Sequence, residues 1–373
     1  MIRGQKRTNA RARPAANQTC LSISSEGRQE SVSQAPSAAK EHTAPKAARD
    51  ADGVDVSFVA IGYNESATLG ACLKSLKNAV LPASVASELI YVDGGSNDDS
   101  MAIAQTHGAG SVLGGDRRRT AAENRNLGLA AARGRYIQFV DGDMVMEPDW
   151  PAAALVFLEH HPETAAVCGN LLESQTGAFS KAFEIDWAPR EGAVRHCGGA
   201  AMFRRDLLER LGGFPEDVAY GEEPYLCWRM RNELAATIYQ LGRPMARHEL
   251  GYRGIIDYWR RNVRMGATYA EIAARCRRGP ERLWLKESLM NAVLAAVGVA
   301  GIAALIWGNW WLRGAVTASA VAIAARKFVQ IIAAGNAPSV AAAYTIHTYG
   351  SKVPLVVGEL RWLASRFGRR RSN

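Results

Sequence analysis

Short apolar runs alternate with helical periodicities from about residue 54 onward. Three runs, at 56–61, 89–92 and 136–140, are rich in β-branched and aromatic residues and predict buried strands. Between them, apolar residues repeat at i, i+3, i+4 and i+7 from Leu69, and helices are also expected at 99–107 and 120–133. Because strands and helices alternate, we expect an α/β domain with a mainly parallel sheet.

Polar motifs follow the three predicted strands at the points where they end. The motifs are Tyr63-Asn64-Glu65, Asp93-Gly94-Gly95-Ser96 and Asp141-Gly142-Asp143. Ligands of parallel sheets bind at the carboxyl ends of the strands. The three motifs together therefore predict one ligand site at this edge of the sheet.

Asp141 and Asp143 place two carboxylates on one tight turn. Hard oxygen ligands of this kind suit Mg²⁺ or Mn²⁺, which would hold a diphosphate, whereas an ordinary turn is the alternative. His248, after a strand-like stretch at 237–241, is either a further metal ligand or a structural histidine.

Other polar positions also allow two interpretations each. Asp93 can accept a hydrogen bond from a base or ribose, or it can shape a turn. Arg125 can reach a phosphate or the carboxylates of the acidic turn, or it can lie on the surface. Glu222 and Glu223 begin a helix, where acids favour the dipole, or one of them is a general base.

The C-terminal part is strongly apolar, and no charged residue occurs at 288–312. About 20 apolar residues cross a hydrocarbon core of about 30 Å as a helix. Basic clusters flank the apolar part, before it at 275–286 and after it at 366–371. By the positive-inside rule we predict a hairpin that turns near 309–314, with Arg326 and Lys327 facing protein or acidic lipid and 338–363 on the cytoplasmic surface.

The net charge of +9 is concentrated beside the apolar segments, which indicates anionic membrane lipids as partners. The sequence has no zinc-finger spacing and no RNA-binding aromatic signature, so we expect no nucleic acid. Six scattered cysteines without a CxxC pair are typical of small buried residues in a reducing compartment. The polar, basic first 52 residues lack the apolar core of a signal peptide and predict a disordered tail.

The order of the motifs from 56 to about 266 resembles that of the inverting glycosyltransferase family 2, of the membrane-associated bacterial type. The matching pieces are Gly62-Tyr63-Asn64-Glu65, Val92-Asp93-Gly94-Gly95-Ser96, Arg125-Asn126-Leu127-Gly128, Asp141-Gly142-Asp143, Gly198-Gly199, Leu211-Gly212-Gly213-Phe214 and Glu222-Glu223. The resemblance implies a GT-A fold, a Rossmann-like mixed and mainly parallel sheet flanked by helices, followed here by a C-terminal membrane helical region.

The resemblance also implies roles for single residues. The nucleotide-sugar site would contain Tyr63, Asn64, Glu65, Asp93, Ser96, Arg125 and Asp141. The acceptor would lie at Gly198 and Gly199, and the metal at Asp143, Asp141 and His248. Glu223 falls at the position of the catalytic base, usually Asp, and Pro224 follows it, which leaves the choice between Glu222 and Glu223 open. Gly62 and Gly94 also depart from the usual proline and second aspartate.

We therefore expect a sugar to pass from a nucleoside-diphosphate sugar to a lipid-linked, glycan or membrane-proximal hydroxyl, in surface polysaccharide or glycolipid synthesis at the inner (plasma) membrane. A processive synthase is one alternative, although its Gln-X-X-Arg-Trp motif is absent from the sequence, and a non-catalytic membrane scaffold is another. The expected division is 1–52 tail, 53–257 cytoplasmic catalytic domain, 258–286 basic interfacial region, 287–335 transmembrane hairpin and 336–373 interfacial segment with a basic end.

Overall fold

The protein is described by a computed structural model that covers residues 53–174, 177–185, 191–218, 220–248 and 254–371, with side chains up to 367. The tail expected at 1–52, which includes Cys20, lies outside the described residues.

One mixed sheet of nine strands forms the centre of the described part. The strands are β1 Val56–Gly62, β2 Ser87–Asp93, β3 Ser111–Gly114, β4 Tyr136–Asp141, β5 Met144–Met146, β6 Thr164–Glu173, β7 Gly192–Ala193, β8 Ala201–Arg204 and β9 Thr237–His248. Their order is β3-β2-β1-β4-β8-β6-β9-β5, and β7 pairs with β9. Strands β3, β2, β1 and β4 run parallel, β8 runs against its neighbours β4 and β6, and β6 pairs parallel with β9. The predicted mixed, mainly parallel sheet is confirmed.

Helices flank this sheet and then continue alone to the C-terminus. They are α1 Leu69–Lys77, α2 Ser100–Thr106, α3 Ala121–Ala131, α4 Trp150–His160, α5 Ala178–Glu184, α6 Arg205–Arg210, α7 Glu222–Glu233, α8 Ile255–Cys276, α9 Leu285–Trp307, α10 Trp310–Ala333, α11 Pro338–Gly350 and α12 Lys352–Arg371. The start of α3 is fixed by a capping box, since Thr120 and Glu123 bond reciprocally through side chain and backbone.

The core lies between the sheet and the apolar faces of the flanking helices. The repeat that predicts α1 is its buried face, which comprises Leu69, Cys72, Leu73 and Leu76. Helix α3 packs close to β1 because Gly128 has no side chain, and a Cβ there would overlap Val59. This close packing holds α3, and with it Arg125, beside the strand ends.

The register of the parallel strands aligns the three polar motifs. Gly62 at the end of β1 pairs with Asp93 at the end of β2, and Ile61 pairs with Asp141 at the end of β4. The segments that follow these strands therefore leave the sheet side by side.

Helices α9 and α10 are long and apolar enough to cross a membrane, and little of their surface is buried within the described part of the protein. The turn between them is Gly308–Asn309, where the Asn309 side chain accepts a hydrogen bond of 3.0 Å from the Leu312 amide. Lys327, in the second half of α10, faces protein, since its Nζ lies 5.6 Å from the centre of the Tyr344 ring.

The segment 336–373, expected at the membrane interface, forms α11 and α12. Helix α12 packs along α8, and α11 packs on α5. Two glycines allow the close approach of α8 and α12, since a Cβ at Gly266 would overlap the Leu355 carbonyl and one at Gly358 would overlap that of Val263. The C-terminal helices are thus attached to the sheet domain through α5 and α8.

Candidate active site

The acidic turn after β4 is held between two parts of the sheet. The Gly142 amide donates to the Ile61 carbonyl at 2.8 Å, which fixes the turn to the end of β1. Strand β5 follows at once and pairs antiparallel with β9, so that Met144 lies opposite His248. This pairing brings His248 Nε2 to 3.3 Å from Asp143 Oδ2. Burial lowers the pKa of His248, but the hydrogen bond and charge of Asp143 outweigh it and raise that pKa above its usual value.

The side chains of this turn fit a divalent cation. Asp143 Oδ1 is buried and accepts no hydrogen bond from the described residues, so a lone-pair acceptor remains available there. Glu65 lies against the turn, since a Cβ at Gly142 would be 3.3 Å from its Cγ. Burial, and next the charge of Asp143, raise the pKa of Glu65 to about 7. Crowded carboxylates beside an imidazole are suitable ligands for Mg²⁺ or Mn²⁺.

Arg125 links the acidic turn to the acidic helix start. Its Nη2 lies 2.9 Å from Asp141 Oδ1, and its Nη1 lies 2.7 Å from Glu222 Oε1. The Arg125 side chain is only 4% exposed, whereas the Asp141 side chain keeps 34% exposure and the Glu222 side chain 18%. Burial opposes the charge of Arg125, yet Asp141 and Glu222 raise its pKa. The bridge holds two of the predicted site residues together on one buried cation.

The adjacent acids Glu222 and Glu223 point in different directions because successive helical residues are rotated by about 100°. Glu222 faces Arg125, whereas Glu223 is only 5% exposed. Oε1 of Glu223 accepts hydrogen bonds from the amide of Cys197 at 2.8 Å and from the thiol of Cys227 at 3.0 Å. No described residue donates to Oε2 of Glu223, and this oxygen is not fully enclosed.

The glycine pair after Cys197 joins the two halves of the site. A Cβ at Gly199 would lie 2.8 Å from Asp141 Oδ2 and 2.9 Å from Arg125 Nη2, so only glycine lets the chain pass this close. Gly198, with φ of 78°, adopts a left-handed conformation that favours glycine. The predicted acceptor glycines therefore lie between the Asp141–Arg125 bridge and the backbone that holds Glu223.

The loop after β2 is organised around Asp93, which is fully buried. Its carboxylate accepts hydrogen bonds from the Gly95 and Ser96 amides at 2.9 and 2.7 Å, and from the Ser96 hydroxyl at 2.6 Å. Ser96 Oγ in turn accepts from the Asn64 amide at 2.9 Å, which ties the loops after β1 and β2 together. These contacts are internal to the protein, so a direct contact of Asp93 with a nucleotide stays a prediction.

Arg118 is a candidate site residue that lies outside the matching motifs. Its guanidinium carbon lies 3.4 Å from the centre of the Tyr63 ring, and its Nη1 donates to the Gly94 carbonyl at 3.1 Å. Two of the predicted nucleotide-binding loops therefore meet at this cation. The sequence feature that could have identified Arg118 is the run Arg117-Arg118-Arg119 just before the cap of α3. A cation beside a glycine-rich loop is typical of phosphate binding.

Comparisons with known proteins find similarity to glycosyltransferases. Residues 57–212 match the profile of Glycosyl transferase family 2. The O-antigen chain rhamnosyltransferase WbaN of Salmonella anatum is 26% identical over 161 residues, which is 39% of this chain and 51% of that protein. The poly-beta-1,6-N-acetyl-D-glucosamine synthase of Staphylococcus epidermidis is 23% identical over 239 residues, which is 55% of this chain and 56% of that protein. This chain thus spans about half the length of these curated relatives.

The fold is shared with a solved structure, the mannosyltransferase PcManGT of Pyrobaculum calidifontis in complex with GDP-Man and Mn²⁺. The similarity covers 83% of this chain and 86% of that one, with a TM-score of 0.62 and 21% sequence identity. Because identity is low, the comparison identifies the GT-A fold of the chain and not its substrate.

Proposed function

Since residues 57–212 match the Glycosyl transferase family 2 model, we propose that the chain transfers a sugar, with inversion, from a nucleoside-diphosphate sugar to a hydroxyl of a lipid-linked or membrane-proximal acceptor. The observation that carries this proposal is the bridge in which buried Arg125 joins Asp141 to Glu222, beside the Asp143–His248 pair. Such a transfer requires a cation for the leaving diphosphate and a base for the acceptor hydroxyl, and the acidic turn and the Glu222-Glu223 pair would supply them.

Asp141, Asp143 and His248 would hold Mg²⁺ or Mn²⁺. When bound, the cation would supply positive charge that neutralises the leaving diphosphate. Glu65 lies beside this turn, and the loops joined through Asn64 and Ser96 would support the nucleotide. Arg118, stacked on the Tyr63 ring, would add a cation at their outer edge.

The base of the reaction would be Glu223. Its Oε1 is held by donors from the protein, and its Oε2 would accept the proton of the attacking hydroxyl. Glu222, in contrast, is paired with Arg125 and would position that arginine. Attack by the deprotonated hydroxyl on the anomeric carbon, opposite the leaving diphosphate, would invert the configuration in one displacement.

The membrane would supply the acceptor. Exposed apolar and basic residues share helix α8, namely Ile255, Ile256, Trp259, Arg260 and Arg264. Such a mixture suits a helix lying at an anionic lipid surface. The relatives are named for O-antigen and poly-N-acetylglucosamine synthesis, which supports a product in a surface polysaccharide or glycolipid.

Replacing Asp143 with Ala tests the metal site. We expect Mn²⁺-dependent affinity for the correct nucleoside diphosphate to fall at least about 10-fold, because a direct metal ligand is lost. Calorimetry with a panel of nucleoside diphosphates, with and without Mn²⁺, measures this. The control is Asp149→Ala, which removes an exposed acid paired with Arg243 and should leave binding unchanged. A variant at Asp143 whose affinity still rises with Mn²⁺ as in the wild type contradicts the assignment.

Reporter fusions test the orientation. We expect the turn at Asn309 to be external and both the catalytic domain and the C-terminus to be cytoplasmic, because basic clusters flank the hairpin on one side. A reporter active only outside the membrane should respond at Asn309 and stay silent at the C-terminus. An external signal at the C-terminus would require an odd number of crossings and would exclude the hairpin.

A further inference from the structure

Two of the five cysteines in the described part of the chain contact Glu223. The Sγ atoms of Cys197 and Cys227 lie 3.2 and 3.0 Å from Glu223 Oε1, and 3.5 Å from each other. Burial, and next the charge of Glu223, raise the pKa of the Cys168 thiol on β6. All of these groups are buried. The sequence contains no local signal for this cluster, because Cys197 lies on the loop before β8 and the other two members lie on α7.

We propose that Cys197, Cys227 and Glu223 form a binding site for a soft divalent cation of the Zn²⁺ class. This site is separate from the turn of Asp141 and Asp143, which offers oxygen and imidazole ligands to a harder cation.

The spacing of the three ligand atoms is close to that of a tetrahedral site. With zinc–sulfur bonds of about 2.3 Å and zinc–oxygen bonds of about 2.0 Å, tetrahedral ligand atoms stand about 3.5–3.8 Å apart. The three observed separations are 3.0, 3.2 and 3.5 Å. The observed separations are shorter than the tetrahedral ones by roughly a few tenths of an ångström, so side-chain movements of that size would make room for the ion.

The scaffold around the ligands is already ordered. Glu223 and Cys227 lie one turn apart on α7, and Cys197 directly precedes the glycine pair. The amide of Cys197 also donates to Glu223 Oε1 at 2.8 Å. A hydrogen bond of this kind to a ligating carboxylate orients the ligand and supports metal affinity.

The thiol chemistry favours a soft cation and makes binding depend on pH. Both thiols are buried beside Glu223, and a divalent cation binds them as thiolates. Binding a divalent cation would form two metal–thiolate bonds and release two protons, so affinity should increase with pH. Thiolates prefer Zn²⁺ over Mg²⁺ and Mn²⁺, which separates the two sites by ligand type.

Occupation of this site would regulate transfer, a consequence that rests on the function proposed above. A cation bound to Glu223 would compete with the acceptor hydroxyl for the same carboxylate. Zn²⁺ should therefore inhibit the enzyme even when Mn²⁺ saturates the acidic turn.

Binding of Co²⁺ to the purified full-length chain tests the site without measuring activity. We expect a thiolate-to-cobalt charge-transfer band in the near ultraviolet that Zn²⁺ abolishes. Cys227→Ser and Cys197→Ser should each lose most of this band. Cys72→Ser, which alters a buried thiol outside the cluster, and Asp143→Ala should both retain it. A wild-type protein without the band, or a Cys197→Ser/Cys227→Ser double variant that retains it, overturns the proposal.

Zinc inhibition in saturating Mn²⁺ separates this proposal from that of the catalytic base. We expect Cys227→Ser to need at least about 10-fold more Zn²⁺ for half-inhibition than the wild type, each compared with its own zinc-free rate. A cobalt–thiolate band without zinc inhibition supports the metal site and contradicts the role of Glu223 as base.

Discussion

Glu223→Gln is expected to slow turnover by about 10²–10⁴-fold while donor binding is unchanged. The amide keeps the size of the side chain, and its oxygen can still accept from the Cys197 amide, which lies 2.8 Å from the native carboxylate. An amide cannot, however, take the proton of an acceptor hydroxyl. Initial rates with saturating donor, together with calorimetric donor affinity, distinguish lost chemistry from lost binding.

The matched variant Glu222→Gln is expected to have the milder effect on turnover. Glu222 is bound to Arg125 at 2.7 Å, so its carboxylate is occupied by a cation, whereas Oε2 of Glu223 accepts no hydrogen bond from the described residues. If Glu222→Gln abolishes turnover and Glu223→Gln does not, the base is Glu222. That result would also mean that the Glu222–Arg125 pair opens during the reaction.

The alignment of the strand ends could be predicted from the sequence because it depends on local patterns. Apolar runs near Val59, Tyr91 and Phe139 are buried strands, and their alternation with helices makes them parallel. Parallel pairing then places the polar motifs at one edge, whichever residues occupy the rest of the sheet. The two apolar C-terminal helices could also be predicted, from the length and the apolar composition of their segments.

Features that depend on contacts between residues far apart in the sequence could not be predicted in the same way. Strand β9 continues past the expected end at Leu241, through Gly242 and Pro244, because irregular pairing with β6 accommodates residues that usually end strands. That continuation carries His248 to Asp143. The packing of α12 on α8 depends on two glycines about 90 residues apart, and the two thiols at Glu223 come from α7 and from the loop before β8. Neither arrangement has a local signal in the sequence.

Arg125→Met is expected to impair both stability and activity. The guanidinium is buried and holds two carboxylates that belong to different elements, Asp141 at the end of β4 and Glu222 at the start of α7. Removing one partner of a buried ion pair usually costs about 3–5 kcal/mol. Because Asp141 and Glu222 keep 34% and 18% side-chain exposure, solvent would screen part of this loss. We therefore expect a cost of about 2–4 kcal/mol, or a fall of about 4–16 °C in melting temperature.

The cost of Arg125→Met should depend on pH in a defined direction. Burial raises the pKa of Asp141 and Arg125 opposes this effect, so loss of the arginine should raise that pKa further. A carboxyl group whose pKa is higher in the folded than in the unfolded state lowers the stability of the fold at pH values above the unfolded-state pKa. As the pH falls, protonation of the group removes this loss of stability. The difference in melting temperature between wild type and variant should therefore be larger near about pH 7.5 than near about pH 5.

Two controls separate the loss of the bridge from a general effect of removing an arginine. Arg243→Met breaks an exposed pair with Asp149 and should cost no more than about 1 kcal/mol. The triple variant Arg125→Met/Asp141→Asn/Glu222→Gln lacks the two uncompensated charges, so it should recover much of the lost stability. It should not recover activity, because Asp141 belongs to the proposed metal site. An Arg125→Met protein that melts like the wild type and transfers sugar normally would show that the bridge neither supports the fold nor positions the catalytic acids.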